Sequence, residues 1–68
     1  MSIELKINGR TCHLDRPCTV LEYLRSISVD PLTVAIQLNE KVLSRDSYAQ
    51  SSLSDGDSLE VLKMVGGG

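Results

Sequence analysis

Residues 3–14 read Ile3-Glu4-Leu5-Lys6-Ile7-Asn8-Gly9-Arg10-Thr11-Cys12-His13-Leu14, and this stretch decides the fold. Ile3, Leu5 and Ile7 alternate with Glu4, Lys6 and Asn8, the period of a strand with one face buried. Asn8-Gly9 supplies a two-residue type I′ turn, whose central residues must both accept positive φ. Arg10 to Leu14 then returns as the second strand. The chain opens on a hairpin.

Downstream, Thr19-Val20-Leu21-Glu22 is a capping-box pattern: the Thr19 hydroxyl caps a helix start and Glu22 reaches back to it. Pro17 fixes the approach. Val20, Leu21, Leu24 and Ile27 fall on one helical face, and Glu22, Arg25 and Ser26 on the other. Asp30-Pro31 ends the helix, because a residue before proline avoids helical geometry, which gives a helix of about ten residues. Val34, Ile36 and Leu38 alternate with Ala35, Gln37 and Asn39 as a third strand. Asn39-Glu40-Lys41 turns it into a short continuation at Val42-Leu43. Arg45 to Gln50, with Tyr48, makes one irregular or helical turn, and Ser54-Asp55-Gly56-Asp57 launches a last strand from Ser58 to Val65. One helix covers one face of a sheet, so the class is α+β, with four to five strands and one main helix packed on one face. Residues 1–65 form this domain, and Gly66-Gly67-Gly68 follows as a flexible tail.

The composition narrows what such a domain can do. The chain has 68 residues, 41% hydrophobic and 24% charged, without Phe or Trp and with two Tyr. Its core is therefore built from Leu, Ile and Val. A chain this short buries only about 60% of its unfolded surface, which argues against a deep cleft walled by its own residues. Seven basic residues stand against nine acidic ones, net −2. Lys6, Arg10, Arg16, Arg25, Lys41, Arg45 and Lys63 are scattered, and aromatics to stack bases are nearly absent, which points away from nucleic acid. Charge inside the first apolar stretch is unlike a signal peptide or a membrane span. The expected location is the cytoplasm, where Cys12 and Cys18 stay free thiols and pack as small hydrophobes, with a regulatory disulfide as the alternative.

Other chemistry-bearing patterns fall short. Cys12, His13 and Cys18 are one ligand short of a structural zinc site, so no metal is expected and His13 reads as an outward-facing strand residue. A Ser/Cys–His nucleophile pair needs a cleft and an orienting third group. The terminal glycines precede no helix whose N–H groups could cradle a phosphate. No catalytic residue is assigned.

Taken in order, Asn8-Gly9, Thr19-Val20-Leu21-Glu22-Tyr23-Leu24, Val34-Ala35-Ile36-Gln37-Leu38-Asn39, Asp55-Gly56-Asp57 and the ending Val65-Gly66-Gly67-Gly68 resemble the ubiquitin-like sulfur carriers of prokaryotes. The likeness is strongest to the ThiS family of thiamine biosynthesis. Val42-Leu43-Ser44-Arg45-Asp46-Ser47-Tyr48-Ala49 is similar to that family's V-P-R-x-x-W-A segment, with Ser44 for Pro and Tyr48 for Trp. The related molybdopterin carriers carry a Pro pair before their glycines, where this chain has Lys63-Met64-Val65. The resemblance implies a β-grasp fold with a mixed sheet, its first and last strands side by side and parallel.

It also implies a function in which the chain is no enzyme but a protein co-substrate. The Gly68 carboxylate is adenylated with ATP by a ThiF-like activating enzyme. A persulfide sulfur derived from a cysteine desulfurase displaces AMP, and the resulting thiocarboxylate gives its sulfur to a ThiG-like thiazole synthase. The chain binds no cofactor itself; ATP is used by the activating partner. Glycine is the most permissive backbone, and Gly66 and Gly67 thread a narrow tunnel with a reach of roughly 10 Å over three extended residues. Leu59 and Val61 suit the core face of the last strand, so Leu62 and Met64 point to the uncovered face unless a twist or bulge tucks one inward. If exposed, they form a partner-docking patch with Lys63 and Val65 at the tunnel mouth. Three rival functions share these residues: a carrier for molybdopterin or another thiolation pathway, a ubiquitin-like modifier joined through Gly68, and an interaction domain with an inert tail.

Overall fold

A computed structural model of the chain describes residues 2–64. Two strands, β1 (Ile3–Ile7) and β2 (Arg10–Leu14), pair antiparallel across the Asn8-Gly9 turn, with φ of 53° and 82° at the two turn residues. The helix α1 (Val20–Ser26) follows, then a 3-10 turn at Pro31–Thr33, β3 (Val34–Leu38), β4 (Lys41–Leu43), a second 3-10 turn at Arg45–Ser47, and β5 (Ser58–Lys63). The five strands lie in the order β2-β1-β5-β3-β4. Only β1 and β5 run parallel, so the last strand occupies the centre of the sheet beside the first. This is the mixed sheet of a β-grasp fold.

Alternation builds the core. Ile3, Leu5 and Ile7 of β1, Val34 and Ile36 of β3, and Leu59 of β5 are buried together with Val20 and Leu24 of the helix. Each of these aliphatic side chains contributes roughly 1.5–3 kcal/mol by leaving water. Tyr48 and Leu53 complete the cluster from the long segment between β4 and β5. The half-buried Cys12 and Cys18 pack against it as free thiols.

The helix start is closed by its cap and by that same long segment. Thr19 Oγ1 accepts from the Glu22 N–H at 3.1 Å, and the Thr19 N–H donates to Glu22 Oε1 at 2.8 Å. A cap of this kind contributes about 1 kcal/mol. The two remaining first-turn donors, the N–H groups of Val20 and Leu21, reach the carbonyls of Ser51 (2.9 Å) and Tyr48 (3.1 Å).

The helix ends earlier than its proline suggests. It spans seven residues and stops at Ser26, with Ile27 as the C-cap and Ser28 at φ 59°. The Ser28 N–H donates to the Arg25 carbonyl (3.1 Å) and the Val29 N–H to that of Leu24 (2.9 Å). These two bonds make a Schellman closure with serine in the left-handed position usually taken by glycine. Asp30-Pro31 then starts the 3-10 turn, Asp30 Oδ1 accepting from the Leu32 N–H at 2.9 Å. Ile27, expected on the buried face, is 44% exposed because the helix has ended beneath it. Val29 packs on the core instead.

The second hairpin repeats the first with one defect. Asn39 and Glu40 between β3 and β4 take φ of 52° and 71°, the same pair of left-handed residues as Asn8-Gly9. Glutamate carries a Cβ that this conformation disfavours, whereas glycine does not. Glu40→Gly is therefore expected to stabilise the domain by about 0.5–1 kcal/mol, a rise of roughly 2–8 °C in a thermal melt. An unchanged or lower Tm would show that this turn stores no such strain.

Candidate functional site: the outgoing end of the central strand

The described residues among those expected to do the work, Leu62, Lys63 and Met64, lie at the outgoing end of β5. Val65, Gly66, Gly67 and Gly68 lie outside the described residues, as does the expected boundary between domain and tail. Leu62, Lys63 and Met64 are described and exposed. Leu62 is 46% and Met64 48% exposed, so neither is tucked inward by a twist or bulge.

Register defines the surface around them. Leu62 stands opposite Ala35, Glu60 opposite Gln37, and Val42 of β4 opposite Gln37 on its other side. Leu62, Met64, Ala35 and Val42 therefore share the sheet face that the helix does not cover. Val42 is 73% exposed. It belongs to this patch although the sequence reading passed over it; the third strand's alternation, carried across the turn, is the signal that would have found it. Farther along the same face, His13 Nε2 meets Glu4 Oε1 at 3.0 Å.

Lys63 does not join this patch. Alternation turns it to the helix side, where it lines a groove of about 520 Å³ with Ile7, Tyr23, Ile27, Asp30 and Val61. The described members of the docking group are thus divided, Leu62 and Met64 on an apolar outer face and Lys63 at a groove on the opposite side. Cys12 and His13 are divided in the same way, Cys12 pairing with the buried Leu5 and His13 with the exposed Glu4. Burial pushes the Cys18 thiol pKa up, and Glu22 nearby adds to the rise while Arg16 opposes it. That keeps Cys18 a thiol and a poor nucleophile at neutral pH.

Both edges of β5 are held, but over different lengths. On the β3 side pairing continues to Lys63 opposite Val34, and the Met64 N–H donates to the Thr33 carbonyl at 3.0 Å. On the β1 side the ladder stops at Ile7 opposite Leu59, and the Asn8 N–H donates to the Leu59 carbonyl at 2.9 Å. The Asn8 side chain then takes over. Its Oδ1 accepts from the Val61 N–H at 2.8 Å and its Nδ2 donates to the Val61 carbonyl at 3.4 Å. The outgoing strand is held on two edges as far as Val61 and on one edge as far as Met64. No group of three or more potential metal ligands occurs among the described residues, and no helix there is long and apolar enough to cross a membrane.

Comparison with known proteins agrees with this architecture. A solved structure of the thiamine biosynthesis protein ThiS from Geobacter metallireducens superimposes with a TM-score of 0.85 at 32% identity, covering 97% of this chain and all of that one. A thiazole synthase from Paramagnetospirillum magneticum is 36% identical over 66 residues, 97% of this chain but 20% of that protein. This chain thus spans about a fifth of that relative's length. A protein called ycf40 from Pyropia yezoensis is 31% identical over 67 residues, 98% of this chain and 94% of its own length. The ThiS family model matches residues 5–68, which takes in all but the first two residues of the first hairpin, then the helix, the second hairpin, the central strand and the three closing glycines, and on that match the chain belongs to the ThiS family.

Proposed function

We propose that this ThiS-family chain is the sulfur carrier of thiazole formation in thiamine biosynthesis, working in the cytoplasm through the carboxylate of Gly68. One observation carries the proposal: in a ThiS-family domain, the strand at the centre of the sheet is the last one, and Gly66-Gly67-Gly68 follows it in sequence within the family match.

The chemistry follows from what a carboxylate lacks. It is a poor electrophile, so an ATP-using, ThiF-like enzyme joins it to AMP and releases pyrophosphate. A persulfide, formed with sulfur from a cysteine desulfurase, attacks the acyl carbon and displaces AMP, leaving an acyl disulfide. A second thiol takes the far sulfur of that disulfide and releases the thiocarboxylate. A ThiG-like thiazole synthase is the acceptor, a choice supported by a thiazole synthase that contains a segment like this whole domain. The carrier contributes position, and its partners contribute the preorganised charge that stabilises each transition state.

The test is intact mass. Protein from cells given a sulfur source is expected to show a fraction heavier by one oxygen-to-sulfur exchange, located on the peptide ending at Gly68. Isopeptide-linked adducts through Gly68 would favour a protein modifier. An unmodified chain that also fails to support ATP–pyrophosphate exchange with an adenylating enzyme would leave an inert domain.

Docking falls to the outer face. Leu62→Asp or Met64→Asp places a charge where an apolar contact is expected, and is predicted to raise the KM for the carrier in adenylation by about tenfold or more. Both side chains are roughly half exposed, so thermal stability should stay near wild type. A drop in Tm matching the loss of activity would sink the docking role.

A further inference from the structure

Two asparagines hold the central strand, one at each end. Both occupy the first position of a two-residue hairpin turn, at φ 53° for Asn8 and 52° for Asn39. A left-handed backbone is tolerated by asparagine better than by other residues with a Cβ. In both turns the side chain then reaches the backbone of β5 in place of the strand that has just turned away. Asn39 Oδ1 accepts from the Ser58 N–H at 2.9 Å where β5 begins, and its Nδ2 donates to Asp57 Oδ1 at 3.0 Å. Asn8 makes its pair of bonds at Val61, where β5 leaves. The difference in place follows from topology: β1 is parallel to β5, so its turn lies at the outgoing end, and β3 is antiparallel, so its turn lies at the incoming end.

We propose that Asn8 is a positioning residue for the adenylation of this carrier, its carboxamide serving as the last rung between β1 and β5 and so fixing the line along which the glycine tail departs. This rests on the sulfur-carrier reading. Without that rung, β5 is supported on the β1 side only as far as Leu59, and Val61 to Met64 hang from β3 alone. Among the described residues no strand lies beside Lys63 on that edge, so nothing else replaces the rung. A small angular error at Val61 grows over the residues that separate it from Gly68. A strand end left loose must be ordered when the carrier binds its partner, and that ordering cost lowers affinity and so raises KM.

The experiment compares Asn8→Gly, Asn8→Asp and Asn39→Gly in the full chain. Glycine keeps both turns, because it accepts the positive φ, and removes only the side-chain bonds. Amide hydrogen exchange is expected to speed up at Val61 in Asn8→Gly and at Ser58 in Asn39→Gly, with both variants folded. In ATP–pyrophosphate exchange with the adenylating enzyme, Asn8→Gly should raise the KM for the carrier roughly three- to tenfold, the scale of one net hydrogen bond, with kcat retained. Asn8→Asp keeps an acceptor for the Val61 N–H and should recover most of that loss. Asn39→Gly loosens the same strand at its other end and should leave KM unchanged.

A wild-type KM in Asn8→Gly overturns the positioning role. An equal rise in Asn39→Gly overturns it too, since general loosening of β5 would then account for the effect. Absence of exchange with the wild-type chain overturns the carrier reading on which the role depends, a result distinct from either of these.

Discussion

Removing Gly68 is expected to abolish adenylation and to leave the melting temperature where it is. The shortened chain still ends in a glycine carboxylate with the same charge and the same nucleophilicity, so the chemistry offered is unchanged. Its position is what alters. One residue withdraws the carboxylate by about 3.3–3.6 Å along an extended chain. That equals the whole distance at which reacting groups must meet, and an error of about 1 Å can already cost a hundredfold in rate. The loss should therefore exceed a hundredfold in kcat/KM for ATP–pyrophosphate exchange. Stability should not follow, because among the described residues the core runs from Ile3 to Leu59 and the last paired residue of β5 is Lys63. Exchange at the wild-type rate from a chain ending at Gly67 would mean that the partner does not measure the length of the tail, and presentation by a fixed reach would be wrong. A matching fall in Tm would instead make the tail part of the fold.

The same division between what is local and what is assembled explains how far the sequence could be read. Asn8-Gly9 and Thr19 with Glu22 are signals complete within a few residues, and both form as expected. The exposure of Leu62 and Met64 agrees with plain alternation, the twist or bulge that the sequence left open being absent there. That same alternation separates Lys63, placed with Val65 by its nearness to the tail, from Leu62 and Met64, and turns it to the helix side. The helix end was misplaced because Ser28 takes a conformation that Gly or Asn would have advertised. Asp30-Pro31, the visible punctuation, belongs to the next turn. The hold of Asn8 on Val61 was hidden for another reason. It depends on β5 lying beside β1 after 53 residues of separation, and no periodicity reports which strands become neighbours. The resemblance supplied that parallel placement; the bond itself needed the assembled sheet.

Leu53 is the sharpest case of a core residue that no local pattern reveals, and Leu53→Ala is expected to cost about 2–5 kcal/mol. It lies outside every helix and strand, among Ser51, Ser52 and Ser54, yet it is fully buried. Three contacts put it there. Its N–H donates to the Cys18 carbonyl at 2.7 Å and the Val20 N–H to the Ser51 carbonyl at 2.9 Å, the two bonds of the Thr19–Ser52 β-bridge, and the Leu21 N–H reaches the Tyr48 carbonyl at 3.1 Å. The segment that caps the helix thus drives Leu53 beneath it. Truncation leaves a cavity under the helix start, where the backbone bonds on both sides limit collapse. A domain of 68 residues has only about 3–10 kcal/mol in all, so the variant should lose a large share of its stability and unfold at a much lower urea concentration. Urea unfolding is the measurement, with Leu32→Ala as the comparison: Leu32 is 62% exposed and should lose less than about 0.5 kcal/mol. If both variants unfold at similar urea concentrations, Leu53 is no part of the core. If Leu53→Ala alone collapses, the long segment between β4 and β5 is structural. It is then what holds the helix start against the sheet whose central strand carries the tail.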